Sequence, residues 1–150
     1  MRKNRLKKSI ALLLACISLF ALWGNVLSVN AQAAEIAPYY DIISDVSCWA
    51  SVSSTGKLTA TADYTGSTSK VSKVVVTMYV EKKTAGIFWS RVDLGITNNQ
   101  WVDTSYKAAY NGSHSVQLPS KGTYRVTVIF TVYGKSGNTE EITKRTTVEY

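Results

Sequence analysis

From residue 46 to the end of the chain, apolar and polar positions alternate in short runs separated by turn-forming residues. The first run sets Val46, Cys48, Ala50 and Val52 against Ser47, Trp49, Ser51 and Ser53. A period of two is the signature of a strand with one face buried. After "STGK" at 54–57 the pattern resumes, with Leu58, Ala60, Ala62 and Tyr64 against Thr59, Thr61, Asp63 and Thr65. "TGSTS" at 65–69 is a polar loop. A third run, "KVVVTMYVEKK", buries Val74, Val76, Met78 and Val80 and turns Val75, Thr77, Tyr79 and Glu81 outward. A fourth strand is expected over about 87–95. Its core face is either Phe88, Val92 and Leu94 or Ile87 and Trp89. A fifth runs from about 101 to 110, and Asn111-Gly112 then signals a two-residue hairpin into a short strand at 113–118. "LPSKGTYRVTVIFTVYG" at 118–134 carries a long strand with Tyr124, Val126, Val128, Phe130 and Val132 on one side. "GKSGN" at 134–138 links it to a last strand near 139–149.

Seven or eight short strands, frequent turns and no amphipathic helical stretch after residue 34 predict an all-β fold, an antiparallel β-sandwich of the immunoglobulin-like kind. In such sandwiches a tyrosine near the start of the penultimate strand bonds back to the preceding corner. Here Leu118 caps the core, Pro119 and Gly122 shape the corner, and Tyr124 is expected to tie it down.

The first 33 residues have a different pattern. Arg2, Lys3, Arg5, Lys7 and Lys8 precede an apolar run from Ile10 to Trp23, and "AQA" follows at 31–33. This is the layout of a secretory signal, with cleavage expected between Ala33 and Ala34. The apolar run is short for a membrane span. "LLAC" at Leu13–Cys16 resembles a lipoprotein box, but the apolar run continues past Cys16. The expected organisation is a signal at 1–33, an N-terminal segment at 34–45 and the sandwich at 46–150, secreted to the outside of the cell.

Charge changes meaning once the signal is set aside. The chain has 17 Lys/Arg against 10 Asp/Glu, and five of the basic residues lie in the signal, leaving 12 against 10. A near-neutral remainder gives no electrostatic case for nucleic acid. The membrane is expected to be met only through the signal during export. Cys48 is the single cysteine after the signal, so no internal disulfide can form.

The stretches "APYYDIISDVS", "GKLTATADYTG", "VSKVVVTMYVEKK", "FWSRV" and "GTYRVTVIFTVYGKSGN" together resemble a family of short secreted proteins of unknown function from Gram-positive bacteria. The resemblance spans nearly all of 37–150. It implies a sandwich fold and export, and it brings no activity and no site.

No constellation for catalysis is expected. His114 is the only histidine and is read as an exposed residue beside the Asn-Gly turn. The acids are scattered, no phosphate-cradling glycine loop or calcium loop is present, and no cofactor or metal is expected. Aromatic surface remains. Trp49 and Tyr79 fall on outward positions, and Trp89 faces either way; the three form a possible partner surface or cover one another. The expected function is a non-enzymatic extracellular binding or surface-interaction module for a protein or glycan. The alternative is a small secreted effector, a toxin or inhibitor acting on a protein target.

Overall fold

The computed structural model describes residues 40–150, and the expected signal lies outside them. Eight strands follow in order: β1 (Ile43–Val52), β2 (Lys57–Gly66), β3 (Val71–Thr84), β4 (Phe88–Arg91), β5 (Trp101–Ser105), β6 (Ala109–Gln117), β7 (Thr123–Gly134) and β8 (Thr139–Glu149). They form two antiparallel sheets, one ordered β1-β2-β6 and one ordered β4-β3-β7-β8 with β5 also on β3. The architecture is a β-sandwich.

Alternation explains the packing. Leu58, Ala60, Ala62 and Tyr64 of β2 are fully buried, as are Val74, Val76, Met78 and Val80 of β3 and Tyr124, Val126, Val128, Phe130 and Val132 of β7. The two alanines leave room for the larger side chains of the facing sheet, and Tyr64 and Phe130 meet with ring centroids 6.4 Å apart. Burial of this kind stabilises by about 1.5–3 kcal/mol per large side chain.

The chain departs from the sequence pattern in four places. The sandwich begins before residue 46: β1 starts at Ile43, and Ile42 is in the core. Glu140 holds this entry, accepting from the Asp41 N–H at 2.8 Å. The fourth strand is only four residues long. Val92 is buried and Leu94 packs on the core, whereas Phe88 is exposed. The fifth strand stops at Ser105.

Asn111-Gly112 is not a turn. Both residues lie inside β6, with Asn111 paired to Asp63 and Gly112 to Ala62. The reversal comes earlier, at 106–108, where Ser105 Oγ accepts from the Lys107 N–H and donates to the Ala109 carbonyl. Gly112 owes its place to a close approach: a Cβ there would strike the Tyr110 hydroxyl. Gly66 repeats the arrangement with Tyr64, and the two tyrosines are cross-strand partners.

At the β6–β7 corner Leu118 is buried and its N–H donates to the Gly56 carbonyl. The Tyr124 hydroxyl donates to the Ser120 carbonyl at 2.5 Å. Gly122 has φ +145 and exchanges two backbone hydrogen bonds with Tyr150, which fastens the chain's last residue to the corner. Pro119 lies exposed on its outside.

Candidate functional site

Register builds the outer face of the three-stranded sheet row by row. Ser47, Asp63 and Asn111 form one row, Trp49, Thr61 and Ser113 the next, and Ser51, Thr59 and Ser115 the third. Eight of these nine positions carry a hydroxyl, amide or carboxylate, and the ninth, at the β1 end of the middle row, is an indole. Ideal strand spacing makes the array about 10 by 14 Å. Two pairs of its polar groups are tied to each other. Asn111 Nδ2 donates to Asp63 Oδ2 at 2.6 Å, and the Thr59 and Ser115 hydroxyls lie 3.0 Å apart. Trp49 is 47% exposed and stands beside this array of donors and acceptors.

Trp49, Tyr79 and Trp89 do not form one surface. Trp49 stands on the three-stranded sheet, and the other two stand on the outer face of the opposite one. There each ring is capped by an arginine. Arg91 lies 3.5 Å from the Tyr79 ring centre and Arg125 4.2 Å from that of Trp89. Glu81 ties this layer together. Its Oε2 accepts from Arg125 Nε at 2.9 Å and from the Thr127 hydroxyl at 3.3 Å, and Thr127 is fully buried beneath it. Cation–ring contacts and a shared carboxylate make this a packed layer.

His114 is also placed differently from the sequence reading. It sits in β6 on the side facing β5, and so joins the two sheets along one flank. Its ring stacks on Trp101 at 5.0 Å with planes 5° apart. Its Nε2 lies 2.7 Å from Asp103 Oδ2, and the Tyr110 hydroxyl donates to the same oxygen. Burial, reinforced by the bond to Asp103 and by its charge, raises the Tyr110 pKa. One carboxylate oxygen thus receives two partners from the facing strand. Trp101 and Asp103, two residues apart, share one face of β5, and Tyr110 and His114, four apart, share one face of β6; that spacing is the signal that could have found this cluster, and the Asn-Gly turn signal between Tyr110 and His114 hides it.

Cys48 faces the core side with Val46, Ala50 and Val52 but is only half-buried, because β1 is a sheet edge; burial raises its thiol pKa. Among the described residues no group of three His, Cys, Asp or Glu side chains could hold a metal ion.

No protein-family model and no curated protein matches the chain. Among solved structures it is similar to a protein from Bordetella pertussis described as ApaA, at 15% identity over 73% of this chain and 93% of that one, with a TM-score of 0.37. A likeness at that level bears on neither face.

Proposed function

We propose that this protein is an exported, non-enzymatic binding module whose working surface is the outer face of the three-stranded sheet, and that its ligand is a neutral glycan. The observation that carries the reading is Trp49: an exposed indole at the end of a row of hydroxyls, flanked by an oriented Asp63–Asn111 pair. A sugar ring has one apolar face that stacks on an aromatic plane and a rim of hydroxyls that needs donors and acceptors. Asp63 is the one charged group among the nine positions, and Asn111 already bonds it, which suits an uncharged ligand. The non-enzymatic part rests on His114, the one histidine in the sequence, whose ring is bonded to Asp103 and stacked on Trp101 and to which, among the described residues, no serine, threonine or cysteine is bonded as a nucleophile.

Trp49→Ala should abolish retention on neutral polysaccharides in a glycan array and in affinity electrophoresis. The melting temperature should stay within a few degrees of wild type, since an exposed side chain contributes little to stability. Unchanged retention, or a large fall in melting temperature, overturns the reading. Export has its own check. N-terminal sequencing of protein from culture medium should read "AEIAPYY", the sequence from Ala34; a chain beginning at Met1 refutes it.

A further inference from the structure

At one end of the sandwich the β3–β4 hairpin runs past the last core residue of β3, Val80. Its loop is Ala85-Gly86-Ile87, held by the Ile87 N–H donating to the Thr84 carbonyl at 3.2 Å, with Ala85 at φ +50 and Gly86 at φ +74. Ile87 is 70% exposed and Phe88, the next residue, 63%. Phe88 pairs with Thr84, and Trp89 pairs with Lys83 one position along, so successive rings point to opposite faces of the ribbon. A partner lying flat on one face of the hairpin would bury only part of this apolar surface. Immersing the tip buries Ile87 and Phe88 together, whatever their directions.

What surrounds the tip is basic. Lys82 and Lys83 precede it on β3, and Arg91 follows it on β4. Lys82 leans on the β6–β7 corner, its Nζ 2.5 Å from Ser120 Oγ, which brings the exposed Lys121 to the same end. Of the nearby acids, Glu81 is paired with Arg125 at 2.8 Å, Asp93 accepts from the Gly95 N–H of its own loop, and Glu149 stands two strands away on β8, paired with Thr123, leaving four cations against the one remaining exposed carboxylate. An apolar tip, a tryptophan just behind it and a collar of lysine and arginine match the layers of an anionic bilayer in order: acyl chains, interface, headgroups.

We propose that the β3–β4 hairpin docks the protein on anionic lipid membranes, with Ile87 and Phe88 entering the bilayer and Lys82, Lys83, Arg91 and Lys121 contacting the headgroups. This surface is distinct from the Trp49 face and stands without it.

The test is hydrogen–deuterium exchange on the full chain with vesicles of phosphatidylglycerol and phosphatidylcholine, against vesicles of phosphatidylcholine alone. Exchange reports on the hairpin itself, whatever the N-terminal apolar run does. Anionic vesicles should slow exchange across residues 84–89 severalfold, and neutral vesicles should leave it unchanged. Ile87→Ser with Phe88→Ser should lose the protection, and so should raising the salt concentration. Trp49→Ala should keep it. No protection with anionic vesicles overturns the proposal. So does equal protection with neutral ones, protection that survives the double substitution, or hairpin protection that depends on protein concentration without lipid, which would assign the tip to a second copy of the chain.

Discussion

One missing methyl group governs how residues 109–117 fold. Asn-Gly between apolar runs is a strong turn signal because both residues accept positive φ. In this chain Gly112 stays extended and serves a different end: it lets the Tyr110 ring lie across its own strand and reach Asp103. Gly112→Ala should therefore destabilise the protein by about 1–3 kcal/mol, the usual cost of forcing a group into occupied space. Urea midpoints measure it. In a Tyr110→Ala background the same substitution should cost much less, because the obstructing hydroxyl is gone. Equal costs in the two backgrounds would show that the ring is not the obstacle. The pattern "YNG" could not disclose this by itself, since the identity of Tyr110's partner depends on a strand from the other sheet. The same limit applied to Trp49, Tyr79 and Trp89. Outward orientation was legible from alternation for Trp49 and Tyr79, but which ring is capped by an arginine depends on cross-strand neighbours.

At the scale of elements, the long strands with a period of two were readable and the short ones were not. The core positions of β2, β3 and β7 fall where alternation puts them because each of these strands has at least four successive alternate positions buried on one face. β4 has four residues and a single edge contact with β3, too few for a period to establish a face. β5 and β6 face each other from different sheets, so no local pattern separates them from a hairpin of one sheet. The β6–β7 corner belongs to this scale too, since it carries the chain from one sheet to the other. Its connection is held by the Tyr124 hydroxyl on the Ser120 carbonyl and by Leu118 on Gly56. Tyr124→Phe keeps the buried ring and removes the bond, leaving the Ser120 carbonyl to find another donor. The expected loss is about 1 kcal/mol or more, read as a lower denaturation midpoint with an unchanged slope. A midpoint equal to wild type would show the hydroxyl to be idle.

For the whole molecule, Cys48 is the one cysteine among the described residues and is free, so stability there rests on two sheets that must stay in contact, and tyrosines stand at critical points between them. Tyr64 is fully buried, donates to the Ile42 carbonyl at 3.3 Å and fastens the start of the fold. Burial, with the negative charge of Glu140 adding to it, pushes its pKa up from 10 to about 12. Tyr110 is raised as well, by burial first and then by Asp103. A raised folded-state pKa means that the folded form holds its proton more tightly than the unfolded one. The resulting stability is complete below pH 10 and is lost as pH climbs through the folded-state value. For Tyr64 the window is about pH 10 to 12, and at about 1.4 kcal/mol per pH unit the loss reaches roughly 2–3 kcal/mol by its upper end. Near neutral pH neither hydroxyl contributes any pH dependence. Urea midpoints taken from pH 9 to 12 should therefore hold steady at first and then fall. Tyr64→Phe should be less stable at pH 9, having lost its bond to Ile42, yet its midpoint should fall less steeply above pH 10, because the group that titrates is gone. Parallel curves for the two proteins would mean that Tyr64 ionises as easily folded as unfolded, and that the hydroxyl is not sealed between the sheets.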